Sequence, residues 1–138
     1  MAGKKIRVET TVDLPLATVW ELWNNPEHVT KWYFASPDWH APKAANDLRA
    51  GGAFNIRMEA RDGSFGFDFA GTYTKIEKPT NLECRLGDGR SLDVKFSSLE
   101  SRTVIVEEFE MEMTNSEERQ RAGWQAILDN FKRYAESI

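Results

Sequence analysis

The apolar positions at the end of the chain recur at intervals of three and four residues. From Thr114 to Ile138 they fall on one stripe of a helix, and charged side chains occupy most of the other side. Thr114 with Glu117, or Asn115 with Glu118, offers a capping box at the start. The pattern predicts a long amphipathic helix whose stripe is covered by another element. The stripe consists of Trp124, Ile127, Leu128, Phe131, Tyr134, Ala135 and Ile138.

Gly123 lies within this helical pattern, where glycine costs roughly 1 kcal/mol relative to alanine. One interpretation is a neutral substitution or a close approach to a strand. The other is that the missing side chain leaves room for a ligand.

Alternation of apolar and polar residues predicts six strands in the rest of the chain. The first strand, Lys5 to Val12, precedes two short helices. The first of these helices begins near Pro15 with Asp13 as its cap, and the second begins at Pro26. Five strands separated by turn residues follow, at about 53–60, 65–76, 82–86, 91–99 and 103–113. This order predicts an α+β fold with an antiparallel meander that packs against the long helix.

Residues 34–52 show no sustained period and contain Pro37, Pro42 and Gly51. They predict a long loop with Trp39 and His40 at its centre. Loops of this length are uncommon in compact domains and often cover a binding site, so this loop is a candidate cover for an entrance. The alternative is a loop that is only anchored by its own tryptophan.

Composition and charge exclude several classes of function. The 138 residues fit one domain, and a net charge of -4 without a basic cluster argues against a nucleic-acid surface. No apolar run approaches the roughly 20 residues that span a bilayer, so no membrane insertion is expected. Cys84 is the only cysteine, and the first residues are too polar for a secretion signal. We therefore expect a cytoplasmic protein with no disulfide.

Aromatic residues make up 12% of the chain, which is rich enough to line a cavity as well as a core. On residues 65–73, alternation places Phe65, Phe67, Phe69 and Tyr73 on one face, which we expect to point inward. Rings and flexible methionines would suit a planar or lipid-like apolar ligand. The predicted ligand-binding residues are Trp32, Trp39, Phe54, Ile56, Met58, Phe67, Phe69, Tyr73, Phe96, Phe109, Met111, Trp124, Leu128 and Phe131.

Glu107 falls on the same side of its strand as Ile105 and Phe109. If it points inward without a partner, burial raises its pKa and makes it a possible general acid or base. If the strand has a bulge, it points to solvent and has no such role. Glu107 and Tyr73 are thus the weak catalytic candidates. His28 and His40 have no metal-ligand spacing, so neither a metal nor another cofactor is predicted.

The chain resembles the family of activator-of-heat-shock-protein-90-ATPase homologues, within the START-like, polyketide-cyclase and Bet v 1-like superfamily. The resemblance spans essentially the whole chain and depends on the order and spacing of its motifs rather than on any single motif. These motifs are Leu14-Pro15, Val19, Trp20, Trp23, Pro26-Glu27, Lys31-Trp32, residues 47–52, Phe54, Met58, Gly71, Tyr73, residues 77–79, Gln120, Gly123-Trp124, Ile127-Leu128 and Tyr134.

The resemblance implies a helix-grip fold, in which a curved antiparallel sheet of six or seven strands wraps around the long C-terminal helix. It also implies a cavity between sheet and helix. The family is named for a co-chaperone whose additional N-terminal domain has no counterpart here, so chaperone contact is only a possible partner interaction.

Three hypotheses of function follow. In the first, the protein is a carrier or sensor that encloses a small hydrophobic ligand. In the second, it is a co-chaperone-like protein-interaction module, which requires an exposed apolar or charged patch. In the third, it is a cyclase- or hydrolase-type enzyme in which Glu107 and Tyr73 meet in one cavity. We favour the first because the predicted interior is aromatic and lacks a catalytic set.

Overall fold

The computed structural model describes residues 4–138, which form seven strands and three helices. The elements in chain order are β1 (Lys5–Val12), α1 (Leu16–Asn24), α2 (Pro26–Val29), β2 (Trp39–Asn46), β3 (Ala53–Ala60), β4 (Gly66–Glu77), β5 (Asn81–Leu86), β6 (Ser91–Leu99), β7 (Arg102–Glu110) and α3 (Glu117–Ser137).

All seven strands belong to one antiparallel sheet in the order β1-β7-β6-β5-β4-β3-β2. Strands β2 to β7 are consecutive hairpins, and β1 pairs with β7 along its whole length, from Lys5 opposite Glu110 to Val12 opposite Thr103. The sheet curls into a half-barrel, and α3 is the long C-terminal helix of this fold. The predicted α+β helix-grip architecture with two short helices after the first strand is confirmed.

Strand β2 corrects the prediction of a loop over residues 34–52. Trp39–Asn46 pairs with β3 at the sheet edge, so Trp39 and His40 begin a strand and do not form the centre of a lid. The register shifts between His40 and Lys43, around Pro42, which lacks a ladder donor. This irregularity interrupts the two-residue alternation by which a strand is recognised in a sequence. The alternation therefore predicts six strands, whereas the structure has seven.

The N-terminal caps of α3 and α1 both differ from the predicted ones. Helix α3 begins one residue after Ser116, whose hydroxyl accepts a hydrogen bond from the Arg119 amide at 3.2 Å. The capping boxes at Thr114 and Asn115 are therefore wrong by one or two residues. Helix α1 follows Pro15 without a side-chain cap, and the backbone amide of Asp13 instead donates to the Glu136 carboxylate of α3.

The core between α1, α3 and the sheet is built around Trp23. Its ring lies 4.8 Å from that of Trp32, 5.5 Å from Phe96 and 4.9 Å from Phe131, measured between centroids. The last two contacts are edge-to-face, the arrangement that the ring quadrupoles favour. Because these rings fill the space beneath α3, that part of the interior is solidly packed.

Two of the four aromatic residues that were expected to point inward along residues 65–73 are exposed. Phe65 keeps 62% and Phe67 40% of its surface accessible, whereas Phe69 is half-buried and Tyr73 is buried. The first two rings contact Trp39 at the far end of the sheet, each with a centroid distance of 6.0 Å. The alternation along the strand is kept, but these two rings are accessible to solvent on the face where Met58 of β3, opposite Phe67, is buried.

Gly123 is not explained by close packing. A Cβ added to it would meet no atom within 4 Å. The glycine faces a shallow surface depression that it shares with Trp124 and Ile127. This geometry excludes the close approach to a strand, whereas a neutral substitution and room for a ligand both remain compatible with it.

Candidate functional site

A small cavity lies between the concave face of the sheet and the segment from the end of α1 to Tyr33. The space open to the centres of water-sized molecules is about 50 Å³, and one water needs roughly 10–15 Å³ of such space. Its lining residues are Trp23, Asn24, Pro26, Val29, Tyr33, Ala44, Ala45, Asn46, Phe54, Ile56, Phe69, Tyr73, Leu82, Cys84, Leu92, Val94 and Glu107.

This location differs from the prediction of a cavity between the sheet and the C-terminal helix, because the lining includes no residue of α3. The helix fills its own side of the half-barrel. Trp124 lies against Phe109 of β7, and Leu128 and Phe131 are fully buried. The side of the sheet near β2 is covered instead by α2 and Tyr33, whose shorter span leaves the space.

Glu107 points into this cavity from β7. The strand has no bulge there: Glu107 stands opposite Val8 on one side and Val94 on the other, and the buried positions alternate through Ile105, Glu107 and Phe109. The side chain is 2% exposed. Alternation therefore predicted its direction correctly.

The Glu107 carboxyl is buried without a polar partner. Within residues 4–138, no hydrogen bond or ion pair reaches it, and desolvation raises its pKa to about 8. Burial has this effect because the charged form loses its hydration with nothing to replace it. At neutral pH the group is therefore mostly a neutral acid, able to donate one hydrogen bond and to accept others.

Two other ionisable groups of the lining respond to the same environment. Burial raises the pKa of the Tyr33 hydroxyl, and the nearby Glu107 charge raises it further. Burial likewise raises the pKa of the Cys84 thiol, with smaller contributions from Asp93 and Glu107. Each group is thus held in its neutral form, and the cavity disfavours any additional negative charge.

Tyr73 is fixed in a chain of hydrogen bonds. Its hydroxyl donates to Asn46 Oδ1 at 2.6 Å, and Asn46 Nδ2 donates to the Asn24 carbonyl at 2.8 Å. Asn24 Nδ2 in turn donates to the Trp20 carbonyl at 3.0 Å. The chain ties β4 and β2 to α1 and closes one wall of the cavity, and burial raises the Tyr73 pKa. Tyr73 thus lines the same cavity as Glu107 with its hydroxyl proton already engaged.

Gly71 makes room for the aromatic wall opposite α2. It pairs with Phe54 of the neighbouring strand, and a Cβ on Gly71 would lie 2.9 Å from the Phe54 ring and 2.7 Å from the Arg85 carbonyl. The ring packs over the bare backbone and meets Phe69 and Tyr73, with centroids 5.8 and 5.4 Å away. A glycine in a strand commonly marks such a close approach.

The cavity borders an open groove between α2 and β2. Pro26, Ala44 and Ala45 line both spaces. The outer groove carries charged residues, among them Arg57, which pairs with Glu59 at 2.9 Å. The groove and the cavity therefore adjoin at these small side chains.

Some of the ligand-binding residues predicted from the sequence reach the cavity and others do not. Phe54, Ile56, Phe69 and Tyr73 line it, together with Glu107. Trp23, Tyr33 and Cys84 were not among the predicted ligand-binding residues. An aromatic Trp32-Tyr33-Phe34 run after α2 was the available signal for Tyr33. The residues that lie elsewhere are Trp32, Trp39, Met58, Phe67, Phe96, Phe109, Met111, Trp124, Leu128 and Phe131.

The two histidines lie outside the cavity. His28 Nδ1 is 2.7 Å from the Tyr134 hydroxyl, and His40 Nε2 is 3.8 Å from a Glu59 oxygen. Across the described part of the chain, no three acidic, histidine or cysteine residues are grouped as metal ligands. Nor does any helix between residues 4 and 138 have the length and apolarity needed to cross a membrane.

Both the sequence and the fold are similar to those of known proteins. The sequence model of the family described as "Activator of Hsp90 ATPase homolog 1-like protein" matches residues 13–136. The solution structure of an AHSA1-like protein from Aeromonas hydrophila is 45% identical, covers 97% of this chain and 93% of its own, and superposes with a TM-score of 0.92. None of the curated proteins that were compared matches the chain.

Two further solved structures extend the likeness. A protein from Cytophaga hutchinsonii is 48% identical, with 96% of this chain and 92% of its own covered and a TM-score of 0.84. A protein from Nitrosomonas europaea is only 17% identical, yet it covers 96% of this chain and 94% of its own with a TM-score of 0.81. The fold thus persists where little of the sequence is shared.

Proposed function

The chain belongs to the activator of Hsp90 ATPase homolog 1-like protein family, and we propose that it binds a small, largely apolar molecule in the cavity between its sheet and the segment from α1 to Tyr33. The single observation that supports this function most is the largely apolar cavity with one unpaired buried carboxyl, Glu107. A site of this kind gains affinity from burial and orientation from its few polar groups.

The size of the cavity limits the guest. A space of about 50 Å³ accommodates a few waters or a small branched hydrocarbon group without rearrangement. A larger guest requires the Tyr33 and Phe69 rings to move; they stack at 5.6 Å between centroids and form part of the wall. The planar or lipid-like ligand predicted from the sequence could therefore bind only after these two rings have moved. With the rings in their present positions, the cavity accommodates only a small molecule.

The proposed function is tested with alcohols of increasing size. Isobutanol, benzyl alcohol and 2-naphthol are titrated into the ¹⁵N-labelled protein, and amide and indole shifts are followed by NMR. We expect saturable shifts at Trp23, Tyr33 and Val94, with isobutanol bound without broad changes and larger alcohols shifting Phe69 as well. Absence of saturable shifts at these positions for all three alcohols would contradict the proposal.

Two variants at Cys84 give a matched control. Cys84→Leu adds volume to the cavity, so we expect it to weaken isobutanol binding at least tenfold while the protein stays folded. Cys84→Ala removes the thiol and enlarges the space, so binding should be kept or strengthened. Equal binding by both variants would place the alcohol outside the cavity.

A second candidate function, a protein-interaction module, is favoured by the exposed rings of Phe65 and Phe67, which lie against the half-buried Trp39. Exposed rings at one end of a sheet are suited to contact another protein. The test is the ATPase rate of an Hsp90-type chaperone with and without this protein. Acceleration that is lost in the Phe65→Ser/Phe67→Ser double variant, but kept in Leu99→Ser at another exposed apolar site, would support it. No acceleration at high protein concentration would remove this candidate.

A further inference from the structure

We propose that the guest of this cavity is a small apolar amine, whose ammonium group pairs with the carboxylate of Glu107 while its hydrocarbon part fills the apolar remainder. This inference rests on the proposed function and specifies the chemical class of the ligand. It depends on the position of Glu107, on the charges of the lining residues and on the fact that Glu107 itself lines the cavity.

The lining has one carboxyl group and no cationic side chain. Glu107 is the single acidic residue among the lining residues, which include no lysine, arginine or histidine. The carboxyl has no hydrogen-bond or ion-pair partner within residues 4–138. A buried carboxylate requires a compensating charge or hydrogen bonds. A ligand with a positively charged group would supply the partner that Glu107 lacks in the protein.

The same lining rejects anions. The Tyr33 hydroxyl and the Cys84 thiol have raised pKa values because burial opposes their ionised forms. A fatty acid or other carboxylate would enter this environment without a cation to meet it, and it would approach Glu107. Among lipid-like ligands, free fatty acids are therefore the least suitable.

Glu107 is also pre-organised for an amine. Its strand lies between β1 and β6, and its neighbours Val8 and Val94 are buried. The neutral carboxyl was removed from bulk water when the protein folded, so binding an ammonium ion adds the desolvation of the ligand and the ionisation of Glu107, which the ion pair must offset. The ordered strand fixes the direction of the carboxyl, which leaves little conformational freedom to lose.

Binding is coupled to a proton. An alkyl ammonium ion remains charged near pH 7 because amines of this kind have a pKa close to that of lysine, about 10.4. Glu107 must ionise to pair with it, and the Glu107 proton leaves to solvent. At pH values below the Glu107 pKa of about 8, the affinity for the amine should therefore increase about tenfold for each unit of rise in pH. The other ionisable groups that face the cavity, Tyr33, Tyr73 and Cys84, remain neutral across this interval.

The experiment compares isobutylamine, isobutanol and isobutyrate by calorimetry and NMR at pH 6, 7 and 8. These probes share one hydrocarbon group and differ in charge. We expect isobutylamine to bind at least tenfold more tightly than isobutanol at pH 8, with release of close to one proton at pH 7 that is measured in two buffers. Isobutyrate should not bind measurably.

Two isosteric variants on the same strand provide the control. Glu107→Gln should weaken isobutylamine at least tenfold, abolish proton release and leave isobutanol within about threefold. Glu108→Gln makes the same change of charge on the other face of β7 and should leave all three probes unaffected. If isobutanol binds but isobutylamine shows no preference, or if Glu107→Gln changes nothing, the amine assignment is wrong and the proposed function survives. If no probe binds, the proposed function fails together with this inference.

Discussion

Trp124 of α3 lies flat on Phe109 of β7, with ring centroids 3.9 Å apart and planes inclined by 15°. Phe109 is fully buried, and Trp124 also meets the edge of Phe69 at 5.8 Å. The stack therefore connects the long helix to the strand that carries Glu107 and to the aromatic wall of the cavity. The Trp124 indole fills the space between α3 and β7. No cavity therefore remains beneath the helix, and α3 does not contribute to the cavity lining.

We expect Trp124→Ala to lower the free energy of unfolding by about 2–3 kcal/mol, since it removes a large half-buried ring and its aromatic contacts. Urea unfolding, followed by circular dichroism, measures this effect. Trp124→Phe keeps a ring over Phe109 and should lose less than half as much. An unchanged unfolding midpoint in Trp124→Ala would show that the stack does not hold the helix.

Gly71 is a site where a small side chain should be harmful. Gly71→Ala should cost about 2 kcal/mol or more, because its methyl group would meet both the Phe54 ring and the Arg85 carbonyl. NMR shifts of Phe54 and the thermal unfolding temperature report the two consequences. A wild-type unfolding temperature with an unmoved Phe54 would contradict the close approach.

Gly123 should respond in the opposite way to the same substitution. The glycine lies inside α3 and an added Cβ meets no atom within 4 Å, so Gly123→Ala should stabilise the protein by about 1 kcal/mol through helix propensity. Parallel urea unfolding of Gly71→Ala and Gly123→Ala gives a direct contrast. A loss of stability in Gly123→Ala would mean that this glycine has a role which the helix geometry does not explain.

Glu107 predicts a pH dependence of stability. Its pKa is raised from an ordinary 4.5 to about 8 in the folded protein, so the folded state holds the proton more tightly than the unfolded state does. This contribution to stability is complete below about pH 4.5 and is lost as pH rises toward about 8, at up to about 1.4 kcal/mol per pH unit.

The measurement is the difference in free energy of unfolding between Glu107→Gln and the wild type at several pH values from 5.5 to 8.5. The variant should gain on the wild type as pH rises, and Glu108→Gln should show no such trend. A difference that stays constant over this interval would mean that Glu107 is ionised in the folded protein at all these pH values.

Alternation succeeded where the strands are regular and covered. Along β7 it placed Glu107 inward between Ile105 and Phe109, as the structure has it. It failed at β2 because the bulge around Pro42 shifts the faces of the strand. On β4 it assigned Phe67 to the correct face of the strand, but that ring is 40% exposed, and sequence periodicity carries no information about what lies above a strand.

The position of the cavity required more than periodicity. The stripe on α3 correctly predicted that Leu128, Phe131 and Ala135 are buried, but Ile138 at its end is 68% exposed. It could not show that Trp124 and Phe109 stack closely enough to fill the space beneath them. Nor could it place Tyr33, whose direction depends on how α2 packs against β2. These are tertiary contacts between residues far apart in the chain, and no local pattern specifies them.

If the space among Tyr33, Phe54 and Val94 admits a guest, xenon should enter it. Crystals placed under xenon pressure show where an apolar atom enters, because xenon occupies apolar cavities and contributes strong density. We predict a xenon atom between these three residues, and its loss in Cys84→Leu. Xenon density confined to the surface, with none in this cavity, would contradict the account.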